Sequence, residues 1–382
     1  MNDMNILIDE NITFAQEAFS SLGNVSLIDG RILKNKDLSD VDILIVRSIT
    51  NVNEALLKHC KVRFVGTTTI GTDHIDVEYL RKRNIHFADA KGCNADSVAE
   101  YVFTALLKIA TRKKVSLREK TIGVVGIGNI GSRVVKLASS LGMKVLQNDP
   151  PLQRISNGKM FVSLEEIFQA DIITLHIPLT LDGIDKTFHL LKKNNLKKIK
   201  QGSVLMNTSR GVVIDNITLA SESIKKKFKL VLDVWENEPS IKTELLSKTT
   251  IATPHIAGYS FEGKVNGTKM IYDSLCNYLQ VEPVWQPALP RIEHSEKMIP
   301  KGKTIQERFF KLFSTIYDIE RDDERMRKIL NYKPNEQAGY FDLMRKEYPL
   351  RREFSNYTIV ITKNEMSFKS FLEDFRFTVK II

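Results

Sequence analysis

The chain has 382 residues, which is enough for two or three domains that each bury a substantial core. Hydrophobic residues make up 42% and charged residues 27% of it, as in ordinary globular proteins, and no apolar run approaches the roughly 20 residues that span a bilayer. The first residues lack the features of a signal peptide, and the 3 scattered cysteines have no metal-ligand spacing. We therefore expect a cytoplasmic protein with no membrane partner and no metal site.

The formal net charge of +10 raises the question of nucleic-acid binding, because basic proteins attract phosphate backbones. The lysines fall in short runs such as Lys225 to Lys227, without interleaved aromatic residues and without a helix-turn-helix or zinc pattern. This distribution is typical of a solvated lysine-rich surface. We expect no nucleic-acid partner, although the excess charge can still draw in an anionic substrate.

The first part of the chain alternates short buried strands with helices. We predict strands at residues 5–9, 42–47, 62–65 and 86–88, and helices at residues 13–22, 53–59 and 77–82. Such alternation predicts an open parallel sheet, in which ligands bind beyond the carboxyl ends of the strands. Arg47, Ser48 and the loop after Val65 follow two of those ends.

The middle of the chain carries the pattern strand, glycine turn, helix, strand, acid. A β-branched strand from Thr121 to Val125 leads into Gly126, Gly128 and Gly131, and helical apolar spacing follows. The first glycine permits a tight turn, the second lets backbone N–H groups approach a pyrophosphate, and the third lets the helix pack close to its strand. Asp149 follows the next strand, where a carboxylate can bind ribose hydroxyls and repel an NADP 2′-phosphate. The pattern predicts NAD binding.

The alternation continues beyond this unit. A capping box at Ser163 to Glu166 starts a helix, strands are predicted at residues 172–175, 203–206 and 230–234, and helices near residues 191–199 and 215–226. A helix at residues 258–279 and a proline-rich linker follow. The tail shows helices at residues 304–317 and 367–375 and two clear strands at residues 357–362 and 377–382. Since the tail shows no cluster of convergent polar groups, we interpret it as a packing or dimerisation module.

Three polar residues follow late strands of the nucleotide-binding part. Arg210 lies in NTSRG, Glu238 in DVWENEP and His255 in TPHIAGYS. Histidine titrates near neutral pH and suits the removal of a hydroxyl proton during hydride transfer. A carboxylate on its other ring nitrogen fixes the tautomer, and a guanidinium can hold a substrate carboxylate. Of the other histidines, we interpret His176, on the cofactor side, as structural.

The motifs GIGNIG, NTSRG, DVWENEP and TPHIAGYS, in that order, resemble the D-2-hydroxyacid dehydrogenase family. The resemblance implies an α/β fold with two doubly wound parallel-sheet domains and a small α+β C-terminal domain. A flavodoxin-like substrate-binding domain would comprise residues 1–95 and 256–282, and a Rossmann NAD-binding domain residues 96–255. Residues 286–382 would form the dimerisation domain of a homodimer.

The resemblance also implies roles for residues. Arg210 and Glu238 become active-site residues, and His255 becomes the acid/base. The implied NAD contacts are Gly126, Gly128, Asn129, Ile130, Gly131, Asp149, Thr208, Ser209, Asp233 and Gly258. The implied substrate contacts are Ser48, Thr69, Arg210 and Tyr259. The sequence departs from the family at Ile177, where relatives often place a hydroxyl group near the cofactor.

Further stretches, including VRSITNVNEALL, KGCNADSVAEYVF and YDIERDDERMRK, narrow the resemblance to a branch that oxidises a small phosphorylated hydroxy acid with NAD. Arg47 and Lys91 are candidates for binding the substrate phosphate. One alternative is another D-2-hydroxyacid dehydrogenase, such as one acting on D-3-phosphoglycerate, whose regulatory tail should show four strands. A second is a nonenzymatic NADH-sensing scaffold, which would keep the same catalytic residues.

Overall fold

A computed structural model describes residues 4–156, 158 and 160–382 of the chain. Its internal contacts divide the chain into two compact units. The first unit comprises Met1–Asn94 and Ser260–Arg291, and the second comprises Ala95–Tyr259 and Ile292–Ile382. Residues 1–3 of the predicted substrate-binding domain lie outside the described residues. The division into three domains, with residues 286–382 as one of their own, stays a prediction.

The elements are numbered along the chain. The strands are β1 (Asn5–Asp9), β2 (Asn24–Ile28), β3 (Ile43–Val46), β4 (Phe64–Thr67), β5 (His86–Asp89), β6 (Thr121–Val125), β7 (Lys144–Asn148), β8 (Ile172–Leu175), β9 (Val204–Asn207), β10 (Lys229–Leu232), β11 (Ile251–Ala252), β12 (Glu296–Met298), β13 (Thr358–Ile361) and β14 (Thr378–Ile381). The α-helices are α1 (Ala15–Phe19), α2 (Glu54–Leu57), α3 (Val77–Lys82), α4 (Ala95–Lys113), α5 (Asn129–Ser140), α6 (Pro150–Ser156), α7 (Leu164–Ile167), α8 (Lys193–Leu196), α9 (Asn216–Lys226), α10 (Thr243–Lys248), α11 (Phe261–Leu279), α12 (Ile305–Ile316), α13 (Ile319–Arg327), α14 (Pro334–Lys346) and α15 (Lys369–Asp374).

The first unit is built on a five-stranded parallel sheet of order β2-β1-β3-β4-β5. This is the flavodoxin-like order, in agreement with the fold that the family resemblance implies. Successive residues of β1 enter different cores, because side chains alternate across a strand. Ile6 and Ile8 pack with residues of α11, whereas Leu7 packs with residues of α2 and α3. Strand β2 was not predicted, since its exposed edge position gives it no apolar pattern.

The second unit contains a six-stranded parallel sheet of order β11-β10-β9-β8-β6-β7. Beyond β7, Gln147 and Phe161 form a further parallel bridge. We count this bridge as a strand that consists of a single residue pair. Numbered in chain order from β6, the strands from the bridge to β10 then have the order 3-2-1-4-5-6 of the dinucleotide-binding fold, and β11 is one added strand beside β10. The predicted Rossmann domain is confirmed. The predicted capping box is also present, with Ser163 and Glu166 bonding reciprocally at the start of α7.

The C-terminal part of the second unit has a three-stranded parallel sheet of order β12-β13-β14. Its aromatic residues, among them Phe313, Phe354 and Phe377, share one core with α4 and with β6 of the nucleotide-binding fold. The predicted α+β character is confirmed, and the structure adds three elements to it: strand β12 and helices α13 and α14. Strand β12 is too short and too exposed to show a pattern, and α13 lies in a strongly charged stretch for which no helix was predicted.

Helix α13 packs on the NAD-binding fold, but it was not predicted because two of its buried positions are acidic rather than apolar. Asp323 is buried, accepts a hydrogen bond from the Ala252 backbone N–H at 2.8 Å and pairs with Arg327 at 2.9 Å. A buried carboxylate needs such partners.

Across the described ranges, no helix combines the length and the apolar character that crossing a membrane requires.

Candidate active site and cofactor site

The glycine turn after β6 has the geometry that the sequence predicts. Gly126 adopts φ +87°, a left-handed conformation that favours glycine. A Cβ on Gly131 would lie 1.8 Å from the carbonyl oxygen of Gly126, so α5 can approach its strand only with glycine there. A Cβ on Gly128, the N-cap of the 12-residue α5, would meet nothing within 4 Å. The space beside Gly128 at the start of α5 is therefore open, and a pyrophosphate that binds at a helix N-terminus needs such space.

Asp149 follows β7 and has a second role that the sequence analysis missed. Its Oδ2 accepts a hydrogen bond from the Ile127 N–H at 2.8 Å, and its Oδ1 accepts one from the Leu152 N–H at 2.9 Å. The carboxylate thus braces the glycine turn and caps α6. The available signal was an acid directly before Pro150, since proline is common at the first helical position after such a cap.

His176 lies beside the end of β8 between two threonines. Its Nε2 is 2.9 Å from Thr174 Oγ1, and its Nδ1 is 3.2 Å from Thr208 Oγ1. Burial lowers the pKa of His176 to about 3, so the ring is neutral at physiological pH. Ile177 packs on the glycine turn, because its Cγ2 would lie 2.7 Å from a Cβ on Gly126. These contacts agree with a structural role for His176.

The turn that presents Arg210 is fixed by Asn207, a residue that the sequence analysis did not single out. Asn207 is buried, and its Oδ1 accepts hydrogen bonds from the N–H and Oγ of Ser209 at 3.0 and 2.7 Å. Its Nδ2 donates to the Arg210 carbonyl at 2.9 Å. A Cβ on Gly211 would lie 1.9 Å from the carbonyl carbon of Trp235, so this turn packs directly on the loop that carries Glu238.

His255 and Glu238 form a hydrogen-bonded pair. Nδ1 of His255 lies 2.7 Å from Oε2 of Glu238, and Oε1 of Glu238 accepts a hydrogen bond from the Trp235 N–H at 2.7 Å. His255 adopts φ +59°, an uncommon conformation for a residue other than glycine and one that concentrates at functional sites. The pairing leaves Nε2 as the ring nitrogen that can exchange a proton with a substrate.

Two opposing effects act on Glu238. Burial favours the neutral acid, but the positive charge and hydrogen bond of His255, the Trp235 N–H and the charge of Arg345 favour the carboxylate. The second group prevails and holds the pKa of Glu238 below its usual value. Glu238 is therefore an anion at neutral pH, which is the state that can stabilise an imidazolium on His255.

Asp233 braces the loop that carries His255. It is buried, and its Oδ1 accepts hydrogen bonds from Thr253 Oγ1 at 2.6 Å and from the Ile256 N–H at 2.8 Å. Its Oδ2 accepts one from the Ala257 N–H at 3.0 Å, while its carbonyl accepts the His255 N–H at 2.7 Å. These bonds explain how a strained histidine is held in place. A contact between Asp233 and the cofactor stays a prediction.

Two further pairs escaped the sequence analysis. His189 Nε2 lies 2.5 Å from Glu236 Oε1, and Glu236 Oε2 accepts the N–H of Asn216 at 3.0 Å. This second histidine–glutamate pair supports the start of α9.

Arg345 of α14 donates from Nε and Nη2 to the hydroxyl of Tyr259, at 3.2 and 2.8 Å. The tail was interpreted as a packing module, yet this arginine lies beside Tyr259.

In the first unit, the predicted substrate contacts follow β3 and β4. Ser48 is exposed after β3. Thr69 Oγ1 lies 2.8 Å from Thr67 Oγ1, which in turn lies 3.0 Å from Nε2 of His74. The roles of Ser48 and Thr69 in substrate binding stay predictions.

Both cations proposed from the sequence have acidic partners in the first unit. Arg47 pairs with the buried Asp9 at 2.8 Å, and Lys91 pairs with Asp89 at 2.8 Å. Desolvation, and then the positive charge of Arg47, lower the pKa of Lys264, so a second cation lies close to Arg47. Lys264 could not be recognised from the sequence, because it lies on α11, far along the chain from Arg47. Over the described residues, no group of three or more His, Cys, Asp and Glu side chains could hold a metal ion.

Comparison with known proteins agrees with this fold. Residues 96–257 match the family described as "D-isomer specific 2-hydroxyacid dehydrogenase, NAD binding domain". Residues 289–372 match a domain of unknown function, DUF3410. The chain belongs to the D-isomer specific 2-hydroxyacid dehydrogenases, and it is an NAD-dependent oxidoreductase.

Within that family, the chain is similar over nearly its whole length to proteins named erythronate-4-phosphate dehydrogenase. The protein of that name from Proteus mirabilis (strain HI4320) is 44% identical over 360 residues, which cover 94% of this chain and 95% of the relative. The one from Psychromonas ingrahamii is 43% identical over 361 residues, covering 93% and 92%. The one from Escherichia coli O1:K1 / APEC is 42% identical over 363 residues, covering 94% of each.

Solved structures are similar over a shorter part of the chain. D-lactate dehydrogenase from Aquifex aeolicus, complexed with NAD and lactic acid, is 25% identical with a TM-score of 0.58 and covers 72% of this chain and 95% of its own. NAD⁺-bound 3-phosphoglycerate dehydrogenase from Entamoeba histolytica is 25% identical with a TM-score of 0.61 and covers 73% and 96%.

Proposed function

We propose that the protein oxidises 4-phospho-D-erythronate to (R)-3-hydroxy-2-oxo-4-phosphooxybutanoate with NAD, in the biosynthesis of pyridoxal 5′-phosphate. The observation that carries the proposal is the 2.7 Å hydrogen bond between His255 and Glu238, on loops that follow the Rossmann strands. The choice of substrate rests on the full-length similarity to proteins named erythronate-4-phosphate dehydrogenase.

In this reaction, the chain's main chemical task is to move one proton. The hydroxyl proton on the carbon next to the carboxylate passes to Nε2 of His255, because Nδ1 is already bonded to Glu238. The carboxylate of Glu238 fixes the tautomer and stabilises the imidazolium that forms. As the C–H bond breaks, the carbon–oxygen double bond forms. NAD, when bound, supplies the hydride acceptor.

The substrate anion needs cationic and hydroxyl partners. We propose that Arg210 holds the carboxylate through its guanidinium, since a planar fork of donors matches a carboxylate. The turn braced by Asn207 supports this role, because it restricts the position of the Arg210 backbone. Ser48, Thr69 and Tyr259 are proposed as further substrate contacts, and Arg47 as a candidate for the phosphate.

The residues around the glycine turn fit NAD. The open N-terminus of α5 at Gly128, Asn129, Ile130 and Gly131 would hold the pyrophosphate beside Gly126. The Asp149 carboxylate would accept hydrogen bonds from the ribose hydroxyls. Thr208, Ser209, Asp233 and Gly258 are proposed as contacts toward the rest of the cofactor.

Steady-state oxidation of 4-phospho-D-erythronate with NAD tests the proposal, with D-3-phosphoglycerate and D-lactate assayed beside it. Parallel reactions contain 2-oxoglutarate, so that enzyme with tightly held NADH can turn over repeatedly. We expect a clear preference for the four-carbon phosphate. Activity only on another acid would show that 4-phospho-D-erythronate is not the substrate, while the proposed roles of the catalytic residues would stand. Tight NADH binding without any activity would favour a sensor.

We also propose that the protein is a cytoplasmic homodimer that assembles through residues 286–382. This part of the chain carries exposed apolar side chains, such as Ile305 and Leu350, which are 54% and 66% exposed. The edge strands β12 and β14 of its small sheet each have one neighbour within the described residues. Light scattering after size-exclusion chromatography should give twice the monomer mass, and a monomer mass would refute this assembly.

A further inference from the structure

The segment that follows His255 is held by side chains from far along the chain. Tyr259 lies four residues after His255, and its hydroxyl accepts hydrogen bonds from Nε and Nη2 of Arg345 at 3.2 and 2.8 Å. A guanidinium can only donate, so the phenol oxygen must accept both bonds. The single Tyr259 hydroxyl proton is therefore directed away from Arg345.

Two neighbours of Arg345 in sequence reinforce this arrangement. The ring of Tyr348 packs edge-to-face on Tyr259, with centroids 5.9 Å apart. Arg351 is buried and donates from Nη1 to the Ala257 carbonyl at 3.0 Å. Arg345, Tyr348 and Arg351 thus hold residues 257–259 at both ends. We call these three residues the C-terminal clamp.

Arg345 itself is held rigidly. Phe341 and Met344, on the same helix α14, are 0% and 2% exposed and pack in the core of the NAD fold together with Trp235. Burial opposes the charge of Arg345, but Tyr259, Glu238 and Asp342 favour it and raise the pKa of Arg345, which therefore stays a cation. The charge of Arg345 in turn favours the ionised form of Glu238.

We propose that Arg345 is a positioning residue of this active site: through its two hydrogen bonds it directs the Tyr259 hydroxyl, and its positive charge acts on Glu238. The inference rests on the proposed roles of Glu238, His255 and Tyr259. It gives the C-terminal region a part in the chemistry beyond assembly. A packing role alone makes a different prediction, namely that an apolar side chain of similar length would serve equally well.

Three variants distinguish a positioning role of Arg345 from a packing role. Arg345→Met keeps most of the length and removes the charge, Arg345→Lys keeps the charge and loses the planar fork, and Tyr259→Phe removes only the hydroxyl. We expect Arg345→Met to lower kcat/KM on the order of tenfold to a hundredfold, as loss of a partly buried charged donor does. Arg345→Lys should recover part of that loss.

The second measurement requires no turnover. In protein labelled with ¹³C at glutamate side-chain carboxyls, the Glu238 signal is assigned by its absence from Glu238→Gln and is followed from pH 3 to pH 8. The charged groups acting on Glu238 are His255 and Arg345. Loss of the Arg345 charge should raise the pKa of Glu238 in Arg345→Met, whereas Arg345→Lys and Tyr259→Phe should leave it near the wild-type position.

The outcomes are distinct. A raised Glu238 titration in Arg345→Met, with partial recovery of kcat/KM in Arg345→Lys, supports the proposal. Wild-type titration and wild-type kcat/KM in Arg345→Met overturn it. If the wild-type protein does not oxidise 4-phospho-D-erythronate, the proposed function fails, while the titration still decides the role of Arg345. If Arg345→Met does not fold, Arg345→Gln replaces it with the same expectations.

Discussion

The imidazole Nδ1 of His255 lies 2.7 Å from the Glu238 carboxylate, while the His255 backbone N–H donates to the Asp233 carbonyl at the same distance of 2.7 Å. Side chain and backbone of one residue are thus fixed by two acids from a single loop. Since His255 adopts φ +59°, its conformation has a cost that these bonds must offset. The reacting nitrogen is held in place before any substrate binds.

His255→Asn should abolish proton transfer and preserve the backbone, because asparagine tolerates positive φ better than most residues. We expect kcat to fall on the order of a hundredfold or more, with nearly unchanged NADH affinity. Steady-state kinetics and NADH fluorescence titration measure the two effects. His294→Asn is a matched control, because His294 is exposed and has φ +57°. Wild-type turnover in His255→Asn would move the base elsewhere.

Asp149→Asn and Asp149→Ala separate the two roles of this carboxylate. Asparagine is as good a helix N-cap as aspartate but has no negative charge. Its single side-chain oxygen can keep only one of the two bonds, the one from the Leu152 N–H that caps α6, and the loss of the negative charge should narrow the preference for NAD over NADP. Asp149→Ala should weaken NAD binding more than Asp149→Asn does, because both the Ile127 and the Leu152 N–H groups lose their acceptor. Kinetics with both cofactors provide the measurement. An unchanged preference in both variants would show that Asp149 does not read the ribose.

Gly211→Ala should damage the active site from a position that has no chemistry of its own. The added Cβ would lie 1.9 Å from the carbonyl carbon of Trp235 and must push the Arg210 turn away from the Glu238 loop. We expect a lower melting temperature and a loss of kcat/KM on the order of tenfold or more. Gly339→Ala is the matched control, because neither Gly211 nor Gly339 has a positive φ and a Cβ on Gly339 would meet nothing within 4 Å. A variant with wild-type stability and kinetics would contradict this packing.

His176 should make the protein less stable at acidic pH. Its pKa is about 3 when folded and near the ordinary value of 6.5 when unfolded, so the unfolded chain binds more protons between those limits. The free energy of unfolding should therefore fall as the pH drops from 6.5 toward 3. His176→Gln cannot gain this proton and should lose less stability between pH 7 and pH 4.5, as urea unfolding would show. Equal losses in both proteins would exclude the effect.

Local patterns were sufficient to predict much of the fold. Strands β6 and β8 have the predicted bounds, since continuous apolar runs mark buried parallel strands. The glycine turn was also predicted, because the spacing of its glycines depends on a backbone geometry that involves only a few neighbouring residues. Helix α14 gave no such signal, and α13 is so strongly charged that its buried face was not apparent.

The sequence by itself determined the order of Arg210, Glu238 and His255 after successive strands, and hence the class of chemistry, because the carboxyl ends of parallel strands lie at one edge of the sheet. Only the tertiary structure decided what supports these residues. Arg345 and Tyr259 are 86 positions apart, and their hydrogen bonds exist because α14 packs on the NAD core. No local pattern encodes such a pairing, since it depends on how distant apolar faces meet.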